Sequence, residues 1–140
     1  MVTKTEEILI IEDEVQMRFY LMTLVKSMGL NPVLTKDGNE GLLKLSEIKP
    51  KGIILDVMMP DKGGALVYKE LVTNPDLKNI PVVFFSGVDK SAFFHYIKML
   101  NLKHLKKNET IPEPEYFVAK DADPEYLKEV VKRSINQNIS

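Results

Sequence analysis

The chain has 140 residues, 44% of them apolar, no cysteine, and a formal net charge of −1. That length and apolar content suit one core needing no covalent staple, and the missing cysteines exclude disulfides and thiolate metal sites, as a reducing cytosol allows. The balanced charge gives no reason for direct nucleic-acid binding, no apolar run approaches the roughly 20 residues of a bilayer span, and the acids Glu6 and Glu7 make a poor signal peptide, so a cytoplasmic protein without membrane contact is expected.

Strand and helix patterns alternate five times along the chain. Glu7–Ile11 is a continuous apolar run of the kind buried on both faces of a parallel sheet. A helix of about fourteen residues follows, with Leu21, Leu24, Val25 and Met28 repeating at i, i+3, i+4 and i+7, and Gly29 placed to close it. Asn31–Thr35 reads as a weaker strand, which Pro32 assigns to an edge. A helix is predicted over Asn39–Ile48, stopped by Pro50. Gly52–Asp56 is the third strand, residues 58–64 form a loop, and a helix carrying Val67 and Leu71 runs to about Thr73, where Asn74-Pro75-Asp76 breaks it.

The fourth strand spans Pro81–Ser86, and its helix starts near Ser91 with Phe93, Phe94, Ile97 and Leu100 on the packing face. Tyr116–Lys120 is the fifth strand. The last helix takes Asp123 as N-cap and Pro124 as its first residue, with Leu127, Val130, Val131 and Ile135 as its buried stripe. Such a (βα)5 chain closes as a doubly wound α/β fold, flavodoxin-like, with helices on both faces of a parallel sheet in strand order 2-1-3-4-5. The span 1–140 reads as one domain, enlarged at about 102–115. The basic cluster Lys103–Lys107 in that enlargement reads as a solvated helix end favoured by the helix dipole, or as a grip for an acidic partner.

Polar residues stand at the ends of four of these strands. Glu12 and Asp13 follow the first, Asp56 closes the third, Ser86 the fourth and Lys120 the fifth. Parallel strands alternating with helices end on one sheet edge, where ligands bind. Three carboxylates, a hydroxyl and an ammonium would meet there. Hard oxygen donors without Cys or His suit Mg²⁺ or Mn²⁺ rather than Zn²⁺. A carboxylate beside such an ion can attack phosphorus, and an ammonium can offset the charge on the transferring oxygens. Residue by residue, plainer readings stand beside these: Asp13 as a helix cap, Glu12 as an exposed acid, Ser86-Gly87 as turn chemistry, Lys120 as a solvated lysine, and Phe117 as core. Asp56 is the hardest to read plainly, because an unpaired acid among Leu55, Val57 and Met58 is costly to bury.

In these segments the sequence closely resembles the receiver domains of two-component response regulators. Ile10-Ile11-Glu12-Asp13-Glu14 is similar to that family's acidic cluster, and Ile54-Leu55-Asp56-Val57-Met58-Met59-Pro60 with Gly63-Gly64 to its phospho-acceptor loop. Phe85-Ser86-Gly87 and Val118-Ala119-Lys120 resemble its hydroxyl and lysine segments. The resemblance implies that Glu12, Asp13, Asp56 and the main-chain carbonyl of Met58 hold Mg²⁺. It implies that Asp56 accepts a phosphoryl group from a sensor histidine kinase or a histidine phosphotransfer protein, with Ser86 and Lys120 binding its oxygens. Ser86 and Phe117 would then switch a surface read by a downstream protein. Activity would be limited to self-catalysed phosphorylation and dephosphorylation, in a stand-alone module that is a monomer or a weak phosphorylation-dependent dimer.

Several positions depart from the family pattern. Asp121 stands where a proline usually follows the lysine, so a trans peptide is expected there. Phe117 lacks the hydroxyl of the commoner tyrosine. The span from Ser86 to Lys120 is longer than usual by about three helical turns. Met58 and Val88 place apolar side chains beside the site. These departures motivate an alternative, a degenerate receiver acting as a phosphorylation-independent adaptor. A Mg²⁺ phosphohydrolase with Asp56 as nucleophile is disfavoured, because Met58 stands where such enzymes carry a second acid.

Overall fold

Each apolar run of four or five residues becomes a strand, and each run with helical periodicity packs across it. The computed structural model describes residues 6–57, 63–103 and 110–136. In chain order the elements are β1 (Glu7–Ile11), α1 (Val15–Ser27), β2 (Asn31–Thr35), α2 (Gly38–Lys44), β3 (Gly52–Asp56), α3 (Gly64–Thr73), β4 (Val82–Ser86), α4 (Lys90–Lys103), β5 (Tyr116–Ala119) and α5 (Pro124–Asn136). All strand pairs are parallel, in the order β2-β1-β3-β4-β5. This is the predicted doubly wound order, with Pro32 on the edge strand.

Alternating side chains of the central strands feed two apolar layers. Leu9, Ile11, Ile53, Leu55 and Phe84 face one way, onto Val67 and Leu71 of α3 and Phe93 and Ile97 of α4. Ile8, Ile10, Ile54, Val83 and Phe85 face the other, onto Leu21, Leu24 and Val25 of α1 and Leu127, Val130 and Val131 of α5. β3 and β4 are buried along their whole length, which is why they read as unbroken apolar runs rather than alternating ones. Among the described residues no helix is long and apolar enough to cross a membrane.

Helix ends depart most from the expectation. α2 starts at Gly38 behind Asp37, whose carboxylate accepts the Glu40 N–H at 2.8 Å, and it ends at Lys44, short of Ile48. Beyond Lys44 the backbone tightens into i→i−3 bonds, Ser46 to Leu43 and Glu47 to Lys44. The Ser46 hydroxyl also donates to the Leu43 carbonyl at 2.6 Å, in the local competition that makes serine a poor helix interior. Gly29 closes α1 with φ +77°, the left-handed geometry that glycine adopts freely. At α5, Asp123 Oδ1 accepts the Glu125 N–H at 2.8 Å, as an N-cap before Pro124 should.

β4 begins at Val82 rather than Pro81, and β5 stops at Ala119 rather than Lys120. α4 starts at Lys90, one residue before the expected Ser91. Within the enlargement, Asn101 grips the backbone of Ile111: its Nδ2 donates to the Ile111 carbonyl at 2.9 Å and its Oδ1 accepts the Ile111 N–H at 2.8 Å. The Lys103–Lys107 cluster, apart from the backbone of Lys103, lies outside the described residues.

Close packing also constrains α2. A Cβ on Gly41 would lie 2.5 Å from Ile11 Cδ1 and 2.8 Å from its Cγ1. Because Ile11 is fully buried, Gly41→Ala is expected to cost about 1–3 kcal/mol, as overpacking does, visible as a lowered midpoint in urea unfolding.

Candidate functional site

Strand register brings the polar residues together. Ile11 pairs with Leu55, so Glu12 and Asp56 emerge next to each other at the ends of β1 and β3. Asp56 pairs with Phe85, and Ser86 with Ala119, so Ser86 and Lys120 come one step behind on β4 and just past β5. The Lys120 N–H donates to the Ser86 carbonyl at 2.8 Å and carries the strand geometry one residue past β5. The peptide after Lys120 is trans, as expected with Asp121 there.

Glu12, Asp13 and Asp56 each place a carboxylate oxygen within 4.8 Å of the others. Glu12 is fully buried and Asp56 is 2% exposed, whereas Asp13 stands at the exposed mouth. Lys120 lies against the inner pair, with Nζ 3.0 Å from Glu12 Oε1 and 3.4 Å from Asp56 Oδ1. Its ammonium is also 5.9 Å from the centre of the Phe85 ring. Glu12 is thus an interior ligand of the lysine, not the exposed strand-end acid of the plainer reading. Its position is fixed twice, by its own N–H donating to the Thr35 carbonyl at 3.1 Å and by its Oε2 accepting the Glu14 N–H at 3.1 Å.

The electrostatics follow from this crowding. Burial raises the Asp56 pKa first, a hydrogen bond to Asp13 and the Glu12 charge raise it further, and Lys120 only partly opposes them. The result is pushed up to about 8, so Asp56 holds a proton at neutral pH when no cation is bound. For Lys120, burial pulls the pKa down, but the hydrogen bond to Glu12 and the charges of Asp56 and Glu12 outweigh it, leaving it raised. A pocket that forces a carboxylic acid to keep its proton favours any divalent cation that can replace it. That acid and its two neighbours, Glu12 and Asp13, make three hard oxygen donors that fit Mg²⁺ or Mn²⁺. The Met58 carbonyl, the fourth expected ligand, lies outside the described residues.

Asp13 does not cap α1. The N-cap position is Glu14, without a side-chain bond, and Asp13 is left as part of the acidic trio. Ser86 is buried, with its hydroxyl engaged locally: it donates to the Val88 carbonyl at 3.0 Å and accepts the Val88 N–H at 2.8 Å. The turn reading of Ser86-Gly87 therefore describes its present partners. Phe117 is half-buried among aromatic rings, with centroids 5.8 Å from Phe93, 6.2 Å from Phe94 and 6.4 Å from Phe84.

Two structural contributions are not legible in the sequence: the reach of Arg18 and the close approach of Gly64, which reads only as a loop glycine. Arg18, one turn into α1, reaches back so that one guanidinium nitrogen donates to the Glu12 carbonyl at 2.9 Å and the Asp13 carbonyl at 3.0 Å. The available signal was a lone cation early in α1, five residues past the acid pair. Gly64 is the other. A Cβ there would lie 2.6 Å from the Asp56 carbonyl oxygen and 2.8 Å from Val57 Cα, backbone atoms that have nowhere to go. Gly64→Ala is therefore expected to destabilise the protein by about 1–3 kcal/mol and to weaken divalent-cation binding in a calorimetric titration, because the clash displaces Asp56 itself.

Comparisons with known proteins point to one family and one fold. The profile of the response regulator receiver domain matches residues 8–115. Among relatives, the chain is 29% identical over 83 residues to Protein PilG of Pseudomonas aeruginosa, covering 59% of this chain and 62% of that one. It is 33% identical over 81 residues to Response regulator RR06 of Streptococcus pneumoniae, covering 58% of this chain and 36% of that one. The matched region thus spans less than two thirds of these relatives' own length. Among solved structures, the signal receiver domain of a signal transduction histidine kinase from Syntrophus aciditrophicus superimposes with a TM-score of 0.79 at 25% identity, covering 96% of this chain and 93% of that one. Chemotaxis protein CheY4 of Vibrio cholerae shares the fold with a TM-score of 0.76 at 19% identity, covering 94% of this chain and 99% of that one. The profile match stops before β5, so Lys120 joins the site by its distances to Glu12 and Asp56 rather than by that match. On the profile match, together with the sheet order and the acidic trio, the chain belongs to the response regulator receiver domain family.

Proposed function

We propose that the chain is a phospho-acceptor signalling module of a two-component phosphorelay, with Asp56 as the acceptor. The observation that carries this reading is the acid trio with an ammonium behind it: Asp56 lies within 4.8 Å of Glu12 and Asp13 and 3.4 Å from Lys120 Nζ. An Asp56 carboxylate oxygen attacks the phosphorus of a phosphohistidine, forming a P–O bond as the P–N bond breaks; the P–N electron pair stays on the imidazole, which leaves neutral with the proton already carried by its other ring nitrogen. The donor is a sensor histidine kinase or a histidine phosphotransfer protein in the cytoplasm. Glu12, Asp13 and Asp56, joined by the Met58 carbonyl, would hold Mg²⁺, which when bound offsets the negative charge of the acids and of the arriving phosphoryl oxygens.

The chain's own residues do the rest. Lys120 holds its ammonium at the inner wall, where charge gathers on the transferring oxygens. Arg18 ties down the backbone of Glu12 and Asp13 and so keeps their carboxylates aimed. Ser86 would have to give up both Val88 bonds to bind a phosphoryl oxygen, and Phe117 would follow by repacking among Phe84, Phe93 and Phe94. That exchange changes the α4–β5 surface offered to a downstream protein. The competing reading, a phosphorylation-independent adaptor, draws on the hydroxyl of Ser86 being already engaged. It leaves the acid trio, two of whose members are buried, without a purpose. Incubation with acetyl phosphate and Mg²⁺ should add one phosphate to the wild type and none to Asp56→Asn in intact-mass measurements. Equal labelling of both would sink the proposal.

A further inference from the structure

Lys120 reaches the acids by crossing a strand. β4 lies between β5 and β3, and β1 lies beyond β3, with about 4.8 Å from each strand to the next. Yet the Lys120 ammonium stands 3.4 Å from Asp56 on β3 and 3.0 Å from Glu12 just past β1. Its stem therefore passes over β4, and side-chain alternation says which residue it meets. Asp56 stands on the same face as Ile54, and Lys120 on the same face as Val118; Ile54, Val118 and Phe85 all point to the α1 and α5 side. Asp56 is also the register partner of Phe85. The β4 side chain under the lysine is thus Phe85, with the ammonium 5.9 Å from its ring centre. We propose, building on the phospho-acceptor reading of Asp56, that Phe85 is a positioning residue for phosphoryl transfer, whose ring face holds the Lys120 ammonium at the inner wall of the site.

The ring is fixed in place and carries the right charge distribution. Phe85 is 1% exposed, and Tyr20 of α1 stacks on it with centroids 6.2 Å apart and planes 27° from parallel, within the range in which aromatic pairs attract. The face of a benzene ring is negative, and a cation within about 6 Å of its centre is drawn to it. The lysine side chain is 21% exposed, so its stem lies along apolar surface while its head stays among polar groups. Glu12 and Asp56 hold that head with charge that a divalent cation would share. Phe85 coordinates no metal, so its hold persists as theirs weakens, when the transferring oxygens need an ammonium nearby. An aliphatic residue at this place would fill the same space and offer no such face.

Replacing Phe85 by mono-, di- and trifluorinated phenylalanine in the full chain drains the ring face in steps while nearly keeping its shape. In metal-free urea unfolding the series should lower the folded-to-unfolded ratio step by step, about two- to fivefold in all, although fluorine itself adds apolar surface. In the Lys120→Met background the same series should show no downward trend, because the cation is gone. With acetyl phosphate and saturating Mg²⁺, labelling of Asp56 should slow in the same order and by a similar factor, while the Mg²⁺ affinity read by calorimetric titration stays unchanged. No trend in the wild type, or an equal trend with and without the ammonium, would overturn the proposal and leave Phe85 as core packing. A labelling rate indifferent to the ring would overturn it too. A wild type that takes up no phosphate would instead sink the phospho-acceptor reading, and the urea series would still decide whether Phe85 holds Lys120.

Discussion

Asp56→Asn should make the metal-free protein more stable than the wild type, by roughly 1–4 kcal/mol near pH 8. The folded protein holds the Asp56 proton up to about pH 8, whereas the unfolded chain releases it at the ordinary value of 3.8. Between those limits the folded state binds more protons than the unfolded one, so this residue's contribution to stability falls as pH rises. Asparagine does not titrate. The stability gap between variant and wild type should therefore be small below about pH 4, open progressively to about pH 8, and stay constant beyond. Urea unfolding at a series of pH values in a chelating buffer measures this directly. Millimolar Mg²⁺ should narrow the gap by stabilising the wild type more, since binding to the folded state adds stability by mass action. A gap that is flat with pH would mean that Asp56 is not the strained acid of the pocket.

Lys120→Met should have the opposite sign. It keeps an aliphatic stem near the Phe85 ring but removes the ammonium 3.0 Å from Glu12 and 3.4 Å from Asp56. Breaking a buried ion pair by deleting one partner costs roughly 3–5 kcal/mol. The lower end is expected here, because the lysine side chain is 21% exposed and Asp56 already keeps its proton up to about pH 8, which leaves Glu12 as the main charged partner. The loss should be larger at pH 8 than at pH 5, where the acids need less compensation. Above about pH 8, where Asp56 is ionised, the penalty should shrink in the double variant with Asp56→Asn, because one of the two stranded charges is gone, and the resulting non-additivity measures the pair's coupling. Full additivity would place Lys120 outside the acids' field. Phosphoryl labelling by acetyl phosphate should also fall in Lys120→Met, since the charge-offsetting group is lost.

Most of the fold was legible because its strands are buried on both faces. Ile8–Ile11, Ile53–Leu55 and Val82–Phe85 are apolar without interruption, and that pattern has few meanings outside a parallel sheet. The end of α2 was not legible, since Asn39–Ile48 carries a plausible helical stripe while the competing Ser46 hydroxyl bond acts over a single turn. At the site, residue types at strand ends were enough to group Glu12, Asp13, Asp56 and Lys120, because register leaves one residue past each strand little freedom. Partners were harder to read than positions. The turn reading of Ser86-Gly87 covers the Ser86–Val88 bonds, but nothing in the chain order says that Arg18 would fold back over two carbonyls, which depends on a rotamer chosen by packing. Gly64 was visible as loop glycine, but its close approach to the Asp56 backbone is a property of the assembled turn.

The double hydrogen bond between Asn101 and Ile111 has a mechanical consequence. It ties the two ends of the long excursion between α4 and β5 into a closed loop before the chain re-enters the sheet. Tension or slack arising inside that loop is grounded at one amide instead of being passed to Phe117 and Lys120. Chain length between residues 101 and 111 can thus vary without shifting the register of β5 on β4.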